Sequence, residues 1–337
     1  MQNNEFSRRA KGTYVIRSIL RRREYGLVIL ILLVGLGVSL VDVRFLQPQN
    51  LLDILVRSAP TAIVACGIML VVVTGEIDIS VGSLMGLLAA SLGVLISQNE
   101  WDLSMWIGVP ATLLLGTLVG TCTGLLVTVG NVPSIIATLG LLTGLRGATI
   151  LIMGGRNIDG LPEGLADLTK YGVLGVPLSL WVAAGVILGT AWIISSTPLG
   201  RRLFAVGSSR YAARMVGLSE RRLKLFAFAY VGFLTALATI VDVPRLPTIE
   251  AGVGVGFELL VVTCVVVGGV SISGGRGTLW GVLLAVVLMT MIRPVLTFLD
   301  VGEAGEKWTK AIQGGFIILA VVTDSIASRR GRGAAVR

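Results

Sequence analysis

Residues 51–97 read LLDILVRSAPTAIVACGIMLVVVTGEIDISVGSLMGLLAASLGVLIS. Two apolar runs, 51–73 and 79–97, enclose a short insert with two carboxylates, Glu76 and Asp78, between Gly75 and Gly82. Apolar runs of about 20 residues with few charges are what a helix needs to cross hydrocarbon. Carboxylates set between such runs are costly in a membrane and mark a functional position. Residues i and i+2 of an extended segment share a face, so Glu76 and Asp78 point the same way if this insert is extended. Glycine permits the sharp backbone turn. Two readings follow for Gly75, Glu76, Asp78, Ser80 and Gly82. They form a hinge or a pathway-lining loop, or the acids cap the next helix at its N-terminus.

Outward from this stretch the pattern repeats. Ten runs are predicted to span, at about 26–42, 51–73, 79–97, 103–129, 133–152, 179–196, 225–242, 257–273, 278–297 and 309–325. Some are too short to cross upright and are read as broken or re-entrant, which is tolerated where protein or a cavity covers the backbone. Run 26–42 follows an Arg-rich stretch without a small-residue cleavage site and reads as a retained first span. The fold class is thus an all-α integral membrane protein.

Composition agrees. Hydrophobic residues make up 54% of the 337 and charged residues 14%, against about 25% charged in a soluble domain. The net charge of +9 does not point to nucleic acid, because 18 of the 28 Lys and Arg fall in segments 1–25, 197–224 and 326–337, which flank apolar runs. That is how basic residues are placed in cytoplasmic loops. With the N-terminus inside and spans alternating, all three basic segments fall inside, while Glu100, Asp102, Asp159, Glu163, Asp167, Asp300, Glu303 and Glu306 fall outside. Histidine is absent, which removes imidazole bases, imidazole metal ligands and the Ser-His-Asp triad. Cys66, Cys122 and Cys264 lie within apolar runs and read as small buried hydrophobes rather than a disulfide or metal site. There is no GxxxxGK[ST] loop for ATP, and Gly252–Gly256 is only a weak GxGxG. No catalytic, cofactor or metal site is expected.

A second glycine cluster, Gly268-Gly269-Val270-Ser271-Ile272-Ser273-Gly274-Gly275-Arg276-Gly277, resembles the first. Val71–Val73 precedes one and Val265–Val267 the other, which suggests a parallel internal repeat. Segment 197–224 carries Tyr211-Ala212-Ala213-Arg214-Met215-Val216-Gly217, whose spacing suits a short helix closed by a tight turn. Such a helix docks on a soluble partner, or the segment is simply a basic loop that fixes topology. Arg146, Glu258 and Arg293 are charges inside or at the ends of spans and should face protein or water. Arg146 and Glu258 are candidates to touch a polar substrate, with helix-to-helix pairing as the alternative.

At these residues the chain resembles the permease subunits of carbohydrate ABC importers, in the ribose-type branch with its rhamnose and autoinducer-2 members. Gly75 to Gly82 resembles the family's GGIDLSVG, with Glu76 in place of a glycine. Pro133, Ser134, Thr138, Leu139, Gly140, Arg146 and Gly147 fit a second signature. Thr197, Gly200, Arg201, Ala205, Gly207, Ala212, Ala213, Arg214 and Gly217 fit a third, with Tyr211 where the pattern often has an acid. Gly254, Glu258, Leu259, Val262, Val266, Gly268, Gly269, Ser271, Ile272, Gly274, Gly275 and Gly277 fit a fourth. The segment Gly154–Leu165 looks more like the autoinducer-2 and rhamnose permeases.

The resemblance implies a cytoplasmic basic segment 1–25, a polytopic permease domain 26–325 containing a cytoplasmic coupling loop 197–224, and a cytoplasmic basic tail 326–337. It implies a bacterial inner-membrane location with both termini cytoplasmic. The partners implied are a second permease subunit, identical or similar, a separate ATPase subunit docked on 197–224, and a periplasmic or lipid-anchored sugar-binding protein. On this reading Gly200, Arg201, Ala212, Ala213, Arg214 and Gly217 couple to the ATPase. Gly75, Glu76, Asp78, Ser80, Gly82, Arg146, Glu258, Gly268, Gly269, Gly274 and Gly275 form the pathway or its hinges. The expected activity is ATP-driven import of a monosaccharide or small polyol, with no chemistry on the cargo. The rivals are an ion-coupled secondary transporter and a membrane enzyme.

Overall fold

A helix segment that is apolar on every face belongs inside protein or in lipid, and the stretch 58–73 is buried in protein at the centre of the molecule. The computed structural model describes residues 23–162, 172, 174–245 and 248–334. The basic segment 1–22, Glu163, Asp167 and Arg337 lie outside the described residues. Among the described residues there are twelve α-helices and no strand: α1 Arg23–Ser39, α2 Pro48–Val73, α3 Val81–Ile96, α4 Met105–Thr128, α5 Ser134–Met153, α6 Leu178–Ser196, α7 Pro198–Ser208, α8 Arg210–Met215, α9 Glu220–Asp242, α10 Phe257–Val267, α11 Leu279–Phe298 and α12 Gly305–Ala334. An antiparallel bridge joins Ile158 and Ile249.

Helix α2 runs 26 residues with Pro48 in its first turn, about 39 Å at 1.5 Å per residue. Every residue from Ser58 to Val73 is buried, against α9, α11, α6 and α10. The hydroxyl of Ser58 is satisfied by donating to the Ile54 carbonyl at 2.7 Å.

Helices α4 and α9 pack backbone to backbone. The buried residues of α4 include Gly116, Gly120 and Gly124, one per turn. A Cβ at Gly120 would lie 2.5 Å from the Phe228 carbonyl oxygen and 2.9 Å from the Gly232 Cα. Small residues at fourfold spacing permit this approach where lipid supplies no hydrophobic drive. The buried threonines beside the seam, Thr112, Thr128, Thr235 and Thr239, donate to carbonyls four residues back, so no hydroxyl is stranded.

The periphery is the reverse of a soluble surface. Helices α1, α5 and α6 expose Leu32, Leu33, Leu36, Ile136, Leu151, Leu188 and Trp192. Hydrocarbon is the solvent that suits such a surface.

Each of the ten apolar runs falls on a helix, but among the described residues six helices are long and apolar enough to cross a membrane: α2, α4, α5, α6, α11 and the span Glu220–Arg245 built on α9. Helices α1, α3 and α10 are apolar but shorter. The run expected over 257–273 stops at Val267 because Gly268-Gly269 turns the chain. Segment 197–224 is not an open loop. It holds α7, α8 and the first turn of α9. The tail expected from 326 onward is not set off by a break, since α12 continues through Ala334. Nothing in 309–334 lacks an N–H, and proline-free sequence lets a helix persist past its apolar part.

Candidate functional site: a junction of two glycine turns and a basic helix pair

The ends of α2 and α10 are built alike. After Val71–Val73, Gly75 takes φ +80°, its N–H donates to the Val72 carbonyl at 2.9 Å, and the Glu76 N–H reaches Val71 at 3.3 Å. After Val265–Val267, Gly269 takes φ +94°, its N–H donates to Val266 at 3.0 Å, and the Val270 N–H reaches Val265 at 3.1 Å. This is the left-handed helix stop that glycine adopts without penalty.

The two turns meet. The Gly275 N–H donates to the Val73 carbonyl at 2.8 Å, and the Gly274 Cα carries no side chain to hold the 73–75 backbone away. The end of α7 closes the junction: Gly207 lies against the Val73 carbonyl and the Gly275 amide, and the Ser208 hydroxyl donates to Gly275 at 3.4 Å. The start of α5 joins too, with the Ser134 hydroxyl accepting from the Ile77 N–H at 3.2 Å. Residues distant in sequence, from 73–80, 134, 207–210 and 268–277, are thus gathered at one end of the molecule.

Within the first turn burial alternates: Glu76, Asp78 and Ser80 are buried, while Gly75, Ile77 and Ile79 are partly open. The two acids have different partners. Asp78 Oδ1 accepts from the Ser80 N–H at 2.8 Å and from its hydroxyl at 2.6 Å, immediately before α3. Burial pushes the Asp78 carboxyl above its ordinary range, opposed by those two bonds. Glu76 instead accepts from Arg210 Nη2 at 2.9 Å and pairs with Lys224 Nζ at 2.6 Å.

The candidate coupling residues occupy α7, α8 and the turn after it. Gly200 donates its N–H to Thr197 Oγ1 at 3.3 Å, a side-chain cap on α7. Arg201 is exposed. Ala212 donates to Ser209 Oγ at 3.2 Å, capping α8. Ala213 is buried, whereas Tyr211, Met215 and Val216 are exposed. Arg214 pairs with Glu220 at 2.9 Å. Gly217 at φ +75° closes α8, and the Leu218 N–H returns to the Ala213 carbonyl at 3.0 Å.

Arg146 and Glu258 do not pair with each other in the described contacts. Both lie along one face of α3. Arg146 Nη1 donates to the carbonyls of Val253 at 2.7 Å and Ala251 at 3.2 Å, close against Gly86. Glu258 lies over Gly82. Its Oε1 accepts from the Gly256 N–H at 3.3 Å, and its buried Oε2 has no hydrogen-bond partner among the described residues. Glu258 thus sits at the start of α3, just past the turn, and Arg146 one helical turn farther along.

At the opposite end of α2 lies a cavity of about 670 Å³. Its charged lining is Asp53, Arg57, Asp242, Arg245 and Arg293, accompanied by Asn50, Thr61, Thr290, Thr297, Thr309 and Gln313. The one described ion pair among the charged groups is long, 3.7 Å between Arg245 and Asp242. Arg293 was singled out in the sequence; the other four charges were not. Their signal was present as acid–base pairs at i, i+4 (Asp53, Arg57) and i, i+3 (Asp242, Arg245) near the ends of apolar runs.

Comparison with known proteins adds the relationship. A family model described as "Branched-chain amino acid transport system / permease component" matches residues 50–321. The ribose import permease protein RbsC of Haemophilus influenzae is 34% identical over 331 residues, covering 96% of this chain and 98% of the relative. RbsC of Escherichia coli K12 is 32% identical over 306 residues, covering 90% and 93%. The autoinducer 2 import system permease protein LsrC of Enterobacter sp. is 36% identical over 309 residues, covering 91% and 88%. With a match over most of its length, and a helical bundle whose apolar helices suit a multi-pass membrane protein, the chain belongs to this family of transport-system permease components.

Proposed function

We propose that the chain is the transmembrane subunit of an ATP-driven ABC importer and forms the path for a monosaccharide or related small polyol. The observation that carries this is the near end-to-end likeness to import permeases for ribose and autoinducer 2. The polar cavity at the outer end of α2 suits such a cargo, because carboxylates, guanidinium groups and hydroxyls within one apolar bundle can exchange hydrogen bonds with a polyol. The Gly154–Leu165 segment favours a rhamnose- or autoinducer-2-like cargo over ribose.

In this reading the chain crosses the inner membrane about ten times. Helices α3 and α10 serve as short, protein-covered crossings, and both termini are cytoplasmic. The end carrying Arg201, Arg202, Arg210, Arg214, Arg221 and Arg222 is the cytoplasmic one, by the placement of basic residues. The matching turns after α2 and α10 support a parallel repeat. ATP is hydrolysed on a separate subunit that docks on α7 and α8. The exposed face of Tyr211 and Met215, four residues apart on a helix with basic neighbours, suits a groove on that partner. A second permease subunit completes the path, and a periplasmic or lipid-anchored binding protein delivers the cargo to the cavity end.

The test is reconstitution with the cognate ATPase and binding protein in proteoliposomes, screened against radiolabelled ribose, rhamnose and autoinducer 2. Uptake is expected to require ATP and the ATPase. Uptake driven by an ion gradient alone, without the ATPase, overturns the proposal. Within the same system Gly217→Leu is expected to uncouple ATP hydrolysis from uptake while the protein stays in the membrane. A side chain there meets open space, so the cost is backbone strain of about 1–2 kcal/mol, enough to reset the end of α8 without unfolding the bundle. Wild-type uptake by Gly217→Leu removes this turn from the mechanism.

A further inference from the structure

Helix α8 is held to the membrane bundle by charge and by one buried side chain, Ala213. Its six residues are too few to hold a position alone, and most of its side chains are exposed. Arg210, its first residue, reaches across to the α2–α3 turn, donating to Glu76 Oε1 at 2.9 Å and lying 3.5 Å from the Gly75 carbonyl. Arg210 Nε also lies 3.5 Å from Glu220 Oε1, and Arg214 is 2.9 Å from Glu220 Oε2. Lys224, on the next turn of α9, is buried between the two acids, 2.6 Å from Glu76 and in contact with Glu220. Two carboxylates and three cations thus tie three elements together: α8, the start of α9 and the turn that ends α2.

Glu76 occupies the critical place in this set. It is the acid by which the α2–α3 turn joins these five charges, and it is buried with Lys224, whose side chain is 7% exposed against 10% for Glu76. A charge pair in such a setting is geometrically demanding, since either partner left alone is an uncompensated buried charge. Moving α8 therefore either breaks the Arg210–Glu76 contact or drags Glu76 with it. Two residues farther on lies buried Asp78, whose bonds to Ser80 begin α3. The chain connection from Glu76 into α3 is thus short and held at both ends.

We infer that Glu76 is a positioning residue that, through Arg210 and Lys224, carries displacement of α8 into the α2–α3 turn and so links nucleotide events to the membrane bundle. The inference rests on the proposed importer function, in which an ATPase subunit moves α8. Glu76 acts through its partners and needs no contact with the cargo. The linking element is electrostatic, so it depends on the carboxylate charge and not on the volume of the side chain.

The experiment uses the full permease assembled with its ATPase and binding protein in nanodiscs. Hydrogen exchange of residues 74–82 is measured without nucleotide and with ATP and vanadate. In the wild type the exchange rate of this segment is expected to shift on nucleotide binding. In Glu76→Gln the nucleotide-dependent shift is expected to shrink about 5-fold or more, the lower range of a typical coupling between sites. Two further variants cover the case in which Glu76→Gln does not assemble. Arg210→Gln alters a half-exposed side chain and is expected to reduce the shift. Glu76→Met/Lys224→Met removes both charges of the buried pair, so it leaves no lone ion, and is expected to reduce it as well. A purely structural role would change exchange without nucleotide and leave the nucleotide-dependent difference intact. Shifts of wild-type size in assembled variants, or a wild-type segment 74–82 that ignores nucleotide, overturn the inference. A wild-type permease that assembles with no ATPase overturns the importer proposal instead, so the two failures are distinct.

Discussion

Gly207→Val is expected to abolish transport and to lower the thermal midpoint of the purified protein by about 5–10 °C. The reason lies in what a side chain at 207 would meet. Its Cβ would sit within the contact distance of the Val73 carbonyl oxygen and 2.5 Å from the Gly275 amide nitrogen. Both obstacles are backbone, and both are engaged with each other through the 2.8 Å bond from Gly275 to Val73. Ordinary overpacking costs about 1–3 kcal/mol because side chains can shift rotamer; here no rotamer change makes room. The substitution must pry α7 from the two glycine turns, and α7 leads directly into α8. Fluorescence-monitored unfolding in detergent and uptake in proteoliposomes check the two parts. Uptake at the wild-type rate from Gly207→Val would show that the three-way contact is dispensable.

Asp78→Lys is expected to have the second large effect, reducing uptake at least about tenfold, as follows from burying an unpaired ammonium. Asp78 is 3% exposed, and both of its described bonds come from donors, the Ser80 N–H and hydroxyl. An ammonium in the same place would face those donors with donors of its own and leave them unpaired. Asp78→Asn keeps an oxygen for Ser80 and is expected to retain most of the uptake. Loss of uptake in Asp78→Asn as well would mean that the negative charge itself is needed, beyond the start of α3. Wild-type transport by Asp78→Lys would sink the idea that this carboxylate matters to the turn. Surface expression and gel filtration of both variants separate failed folding from failed transport.

Much of this architecture was legible because hydropathy is a local property. The runs that became α2, α4, α5, α6 and α11 could be read within a few residues of their observed ends. The stop at Gly75 was equally visible, since left-handed backbone at a helix end calls for glycine. Other boundaries were less legible. Run 257–273 looked continuous because Val270 and Ile272 are as apolar as α10, yet Gly268-Gly269 ends the helix at Val267. In segment 197–224 the short helix before Gly217 was legible as α8, but α7 was not, because its polarity conceals a helix held by the capping hydroxyl of Thr197.

The pairing of charges distant in sequence was not legible. Glu76 is separated by 134 residues from Arg210 and by 148 from Lys224 in a chain with 28 basic residues, so spacing gives no reason to choose these partners. Arg146 and Glu258 read as substrate contacts or as helix-to-helix pairs; in the fold Arg146 donates to the carbonyls of Ala251 and Val253, which no spacing in the sequence indicates.

The sequence by itself determined that the chain is a bundle of apolar helices, where α2 turns, and which segments carry the basic charge, because burial in lipid and glycine's freedom act residue by residue. Only the tertiary structure decided that the two glycine turns and α7 share one junction, that Glu76 and Asp78 have different partners, and that five charges meet in a cavity at the start of α2. Those outcomes depend on which helix ends come together, a property set by packing around α2 and written in no single stretch of the chain.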